Sequence, residues 1–143
     1  MVEDVRFLLE GAIRGARFEH APGLGAQYRV ASSGSLSTSD PSKFFECCFK
    51  NTRYMEGLWR AQGEMSEDRK KALLKAYSIT ARASFERNRL LFESAYAAIK
   101  KLDPKYVPEE PRRIYYLSKL LGYRNAERAA LWYRNIKRTG RPA

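Results

Sequence analysis

A chain of 143 residues with 44% apolar and 13% aromatic residues is long enough for one packed domain and too apolar for a disordered one. Its 27 Lys and Arg against 16 Asp and Glu leave a net charge of +11, more than ion pairing can absorb, and point to a polyanionic partner. With one histidine, His20, and only two cysteines, the adjacent Cys47 and Cys48, no zinc-ligand spacing exists.

A disulfide between adjacent helical residues would be badly strained, so two reduced thiols are expected, as in a cytoplasm. Residues 2–13 carry Glu3, Asp4, Arg6 and Glu10, which argues against a secretory leader. No apolar run approaches the length of a membrane span.

In chain order, the first predicted helix covers residues 2–16, where Val5, Leu8, Leu9, Ala12, Ile13 and Ala16 recur at helical spacing. Gly11 and Gly15 lie four apart on its flank, where another backbone could approach closely. Residues 17–40 follow, with a Gly/Ser-rich run from Ala31 to Ser39 and a short extended candidate at Gln27–Ala31. Residues 1–40 are therefore expected to form an N-terminal helical arm on a linker, free to dock on a neighbour or a ligand.

A helical domain is expected over residues 41–143. Asp40 suits an N-cap and Pro41 the first helical position, so a helix begins there and ends at Gly63, with Phe44, Phe45, Cys48, Phe49, Met55 and Trp59 as its apolar face. Ser66 caps a long helix predicted over residues 67–101. Its stripe of Leu73, Leu74, Tyr77, Ala81, Phe85, Leu91, Phe92, Ala95, Tyr96 and Ile99 reads as core. Lys71, Lys75, Arg82, Glu86, Arg89, Glu93 and Lys100 form the opposite, solvated face, with i,i+4 pairs at Arg82–Glu86 and Arg89–Glu93. Pro104, Pro108 and Pro111 stiffen the following connector. A fourth helix opens at Pro111 and runs to Leu121, Gly122 breaks the chain, and a fifth covers residues 126–137. The expected fold is all-α, a bundle of about five helices.

The charge is unevenly spread. Residues 1–40 have four cations and five acids, residues 41–110 fourteen and ten, and residues 111–143 nine and one, the single acid being Glu127. At ~100° per residue, Ile114, Leu117, Ser118 and Leu121 share one face of the fourth helix. Arg112, Tyr115, Tyr116 and Lys119 share the other, with Tyr123 close by. On the fifth helix Ala126, Ala129, Ala130, Tyr133 and Ile136 face inward, while Arg124, Arg128, Asn135 and Arg138 face out.

Interleaved cations and phenols suit a nucleic-acid backbone. Guanidinium forks bind phosphate oxygens, hydroxyls and amides donate to them, and aromatic faces stack on unpaired bases. The candidate contacts are Arg112, Arg113, Tyr115, Tyr116, Lys119, Tyr123, Arg124, Arg128, Arg134, Asn135, Lys137, Arg138 and Arg141.

Residues 116–138 resemble a helix-turn-helix, with Leu120, Leu121, Gly122 and Tyr123 at the turn and the last helix as the groove reader, which implies a DNA-binding regulator. The arm at Val2–Ala16, the linker at Ala31–Ser39 and the basic helical remainder together resemble the major capsid proteins of archaeal filamentous viruses. That resemblance is architectural. It implies many copies wrapping double-stranded DNA, held in the A-form, inside a helical filament, with self-association or a paralogous subunit. The chain would then sit in the virion and assemble in the host cytoplasm, and a membrane would meet it only as an envelope. A small helical subunit of a CRISPR effector, binding RNA or single-stranded DNA, is a further alternative.

No enzyme chemistry is indicated. His20 stands alone, no nucleophile–base pair appears, Gly23–Gly25 is too short for a phosphate loop, and Glu109 and Glu110 sit in the connector. No catalytic residue, metal, cofactor or small-molecule substrate is expected. The sequence thus points to a structural nucleoprotein that coats double-stranded DNA, and next to a regulator reading an operator.

Overall fold

The structure, a computed structural model, describes residues 2–20, 22–23, 40–63, 65–108 and 111–139. Among these residues it is all-helical, with six helices and no strand. They are α1 (Val2–Ile13), α2 (Pro41–Ala61), α3 (Glu67–Ser84), α4 (Arg89–Leu102), α5 (Arg112–Leu121) and α6 (Tyr123–Thr139). The predicted linker run Ala31–Ser39 and the extended candidate Gln27–Ala31 lie outside the described residues.

The sixth helix arises because the predicted long helix is two. The helix ends at Ser84, the chain turns through residues 85–87, and a new helix starts after Asn88, whose Oδ1 accepts the Leu91 backbone N–H at 3.0 Å. The Asn88 amide also donates to Glu46 Oε1 (2.9 Å) and Ser42 Oγ (3.2 Å) on α2. One side chain thus starts α4 and ties that turn to α2, while the Asn88 backbone N–H donates to Ser84 O at the end of α3 at 2.8 Å. The apolar stripe folds back on itself, so that Phe85 meets Phe92 edge-on at 4.7 Å between centroids.

The core lies between α3 and α4. Leu73, Leu74, Tyr77, Ala81, Phe85, Phe92, Ala95, Ala98 and Ile99 form it, joined by Ile114 of α5 and by Tyr123 and Ala126 of α6. Tyr96, also expected in this stripe, is half-buried beside it. Helix α2 starts as its sequence requires: Asp40 accepts the Lys43 N–H at 2.9 Å and Pro41 takes the first position. Of its expected apolar face only Met55 is fully buried, and Phe44, Phe45, Cys48, Phe49 and Trp59 are half-buried.

The buried partner on α2 is a charge. Glu56 accepts the Tyr77 hydroxyl at 2.7 Å and the Arg60 Nε–H at 2.9 Å, with Arg53 at 3.7 Å. Burial pushes its carboxyl up, but the hydrogen bonds from Tyr77 and Arg60 outweigh burial and hold it below the ordinary value.

Helix α1 ends three residues earlier than predicted. Gly15 takes φ +79°, and the Ala16 N–H reaches back to Gly11 O (2.9 Å) while the Gly15 N–H reaches Ala12 O (3.1 Å). This pair of bonds is a Schellman ending, for which a left-handed glycine is the natural residue. Gly11 faces Ala16 and Phe18 of its own chain. Helix α1 packs on α2, where the Arg6 guanidinium covers the Tyr54 ring at 4.1 Å. Phe7, Leu8 and Phe18 remain exposed.

Candidate nucleic-acid interface

Helices α5 and α6 form a hairpin with a one-residue turn. Gly122, at φ +77°, lets its N–H return to Ser118 O (2.9 Å) while its carbonyl accepts the Ala126 N–H (3.0 Å), so one residue both ends α5 and starts α6. A residue with a β-carbon would be strained at that φ.

On α5 the predicted two-faced pattern appears. Ile114 and Ser118 are buried, Leu117 is half-buried, and Arg112, Arg113, Tyr116 and Lys119 are exposed. Tyr115 is half-buried, with Lys119 Nζ 4.4 Å above its ring and Tyr116 edge-on at 5.3 Å. Leu121, expected inward, is 51% exposed, although Tyr123 just beyond Gly122 is buried in the core.

On α6 the assignment needs more correction. Tyr123, expected at the binding face, is 4% exposed, and its hydroxyl donates to Ser78 O of α3 at 3.2 Å. Burial pushes the phenol up, with the Glu127 charge adding to the effect. With its donor used internally, Tyr123 is a core residue and no phosphate contact.

Arg124, expected on the outward arc, is half-buried. Its guanidinium bonds Glu93 of α4 and covers the Tyr96 ring at 5.3 Å. Arg89 shares the same carboxylate at 2.9 Å, so the expected Arg89–Glu93 pair is a three-residue cluster.

Arg128, Asn135 and Lys137 are exposed as expected, and Lys137 Nζ stands 5.1 Å from the Tyr133 ring centroid. Arg134 is half-buried. Tyr133 and Ile136, expected inward, are 48% and 46% exposed, and Trp132 is 69% exposed. The reason is geometric: the buried residues of α6 are Tyr123, Ala126 and Glu127, all in its first turns, so the later turns extend beyond the α3–α4 core. The helix backbone reaches Arg138, while Arg141 lies outside the described residues.

The hairpin therefore presents Arg112, Arg113, Lys119, Arg128 and Lys137 to solvent, two of the lysines held over tyrosine rings. Guanidinium and ammonium groups on this face can neutralise phosphates, and exposed Tyr116, Trp132 and Tyr133 can offer stacking faces.

Sequence reasoning missed a second arginine-lined feature. A cleft of about 860 Å³ opens between α3, the proline connector and α6, and Arg82, Arg87, Arg112 and Arg134 line it together with Glu127. Arg82 had been placed on a solvated face; it is half-buried. The one sequence signal was Glu127 itself, a lone acid in the most basic part of the chain.

Among the described residues no cluster of His, Cys, Asp and Glu could hold a metal, and no helix is long and apolar enough to cross a membrane. Comparison with protein-family models, with curated proteins and with solved structures finds no match in any of the three.

Proposed function

We propose that this protein is a non-enzymatic structural nucleoprotein that coats double-stranded DNA through phosphate contacts, as the coat subunit of a filamentous virion would. The observation that carries the reading is the α5–α6 hairpin: among the described side chains its solvent face holds five cations, and its only acid is turned into the protein. Contacts of this kind are sequence-blind and fix position on the backbone.

A reader helix offers varied polar side chains at its N-terminus. Here Tyr123, Ala126 and Glu127 point inward and Arg124 is tied to Glu93, leaving Asn125 and Arg128. A helix-turn-helix joins its helices by three or four residues, against the single Gly122 here. Both observations favour the coat over the regulator.

The test is binding to random duplex DNA, single-stranded DNA and RNA across a salt series, with electron microscopy of the same samples. Five phosphate contacts predict a log–log salt slope of about −4.5 on duplex. The double variant Lys119→Ala/Arg128→Ala should reduce that slope by about 2. Steep, sequence-blind duplex binding that builds regular filaments supports the proposal. Binding that requires a selected sequence turns it to the regulator, preference for RNA or single strands turns it to an effector subunit, and no binding at low salt overturns it.

A further inference from the structure

Two surfaces that the fold leaves open match one another. The first is the outer side of α1. Its inner side rests on α2, where Arg6 covers the Tyr54 ring. Phe7 is 78% exposed and Leu8 51%. Gly11 lies one turn from Phe7, and the Phe18 ring, itself exposed, sits against it. Phe7, Leu8 and Phe18 thus form an apolar ridge.

The second surface is a groove of about 530 Å³ on the α5–α6 hairpin. Ile114, Leu117, Ala129, Ala130, Trp132 and Tyr133 give it an apolar lining. Its charged lining residues are all arginines, Arg82, Arg113 and Arg134. A groove of this kind suits one apolar helix face, whose anchors recur three and four residues apart. The ridge has that spacing, at Leu8 and Ala12 and at Phe7 and Gly11, where Phe18 takes the place of a side chain.

Charge selects the partner. Helix α1 is the one helix of the six with more acids than cations, Glu3, Asp4 and Glu10 against Arg6. Residues 1–20 stay net acidic when Arg14, Arg17 and Glu19 are counted, with four acids against three cations. The hairpin stays basic when Glu109 and Glu110, which precede it outside the described residues, are counted: residues 109–143 hold nine cations against three acids. A second hairpin facing the first would bring like charges together, whereas α1 brings opposite ones. The lengths agree as well, ~18 Å for the 12 residues of α1 and ~15 Å for the 10 of α5.

We propose that α1 of a second copy of this chain docks in the α5–α6 groove, Phe7 and Leu8 against Leu117, Trp132 and Tyr133. The contact runs between copies, because α1 packs on its own α2 with Phe7 left in solvent. Ridge and groove are different patches, so each copy offers a ridge to one neighbour and a groove to the next. Such a contact builds a ring or an open filament, not a closed pair. It goes beyond the coat reading and needs no DNA.

The experiment is sedimentation velocity on the full chain without nucleic acid, over a concentration series at low salt. Wild type should grow past the dimer as concentration rises. Phe7→Ser/Leu8→Ser removes the ridge and Trp132→Ser/Tyr133→Ser the groove. All four side chains are exposed, so both variants should keep the circular dichroism of wild type. Each alone should self-associate at least tenfold more weakly. Mixed in equal amounts, the two variants hold one intact ridge and one intact groove between them, and should form a heterodimer and nothing larger.

A wild type that stays monomeric overturns the proposal, as does a mixture without heterodimer. Weakening in the ridge variant alone means that α1 pairs with α1, and weakening in the groove variant alone that hairpin pairs with hairpin; either overturns it. Where a double variant is misfolded, Phe7→Ala or Trp132→Ala replaces it with the same outcomes. Lys119→Ala/Arg128→Ala should self-associate as wild type does, and Phe7→Ser/Leu8→Ser should bind a short duplex as wild type does. Self-association without duplex binding fails the coat reading alone, and duplex binding without self-association fails this inference alone.

Discussion

Replacing Tyr77 by Phe tests the energetic centre of the fold. Tyr77 is fully buried, and its hydroxyl donates to the Glu56 carboxylate at 2.7 Å, joining α3 to α2. Without it, Glu56 keeps the Arg60 bond at 2.9 Å and the longer Arg53 approach at 3.7 Å. A hydrogen bond to a buried charge contributes about 2 kcal/mol. For a chain of this length that loss lowers the melting temperature by about 6 °C.

The pH dependence distinguishes this bond from simple loss of packing. The folded Glu56 carboxyl is held below its unfolded value, so its contribution is present above about pH 4.3 and is lost as pH falls through the folded value. Urea unfolding of wild type and Tyr77→Phe across pH 7 to pH 3 should show a gap that is constant near neutrality and closes on acidification. A variant as stable as wild type at pH 7, or a gap that widens in acid, would refute the reasoning.

Glu127 has the opposite sign. Burial raises its folded carboxyl, so its contribution is present below the unfolded value near about pH 4.3 and is lost as pH rises through the raised folded value. Glu127→Gln should therefore be more stable than wild type at pH 7 in ligand-free urea melts, the difference vanishing at low pH. Asn88→Ala removes the α4 cap and the bonds to Ser42 and Glu46, and should cost about 2 kcal/mol, with hydrogen exchange rising first around residues 85–91. Tyr123→Phe should cost about 1 kcal/mol and leave duplex affinity unchanged; weakened duplex binding in a folded variant would return Tyr123 to the interface.

Much of the helical layout was legible because it rests on local rules. Asp40–Pro41 and Ser66 mark helix starts by side-chain capping, and the 3.6-residue recurrence from Leu73 to Ile99 selects the core-facing residues. The break at Asn88 was not legible. The apolar period resumes on the far side of the turn, and an asparagine within a periodic run signals a cap only when its second partner, here α2, is known.

The charge distribution is likewise local information. Nine cations against one acid in residues 111–143 can be counted from the chain, and Arg112, Lys119 and Arg128 are exposed where helical spacing puts them. Which neighbours of those cations face water is another matter. Tyr123 and Glu127 are polar residues on a basic helix, and only the position of α6 across α3 buries both, while the same placement leaves Tyr133 and Ile136 outside the core.

The sequence by itself determined the helical class, the caps and the basic C-terminal end, since each depends on residues within a few positions of one another. The tertiary structure alone decided that Arg82 of α3 and Arg87 of the turn after it would share a cleft with Arg134 of α6, whose wall includes the buried Glu127 without a hydrogen-bond partner among the described residues. Burial and electrostatic environment are properties of residues distant in the chain and adjacent in space, and helical periodicity says which way a side chain points without saying what it meets there.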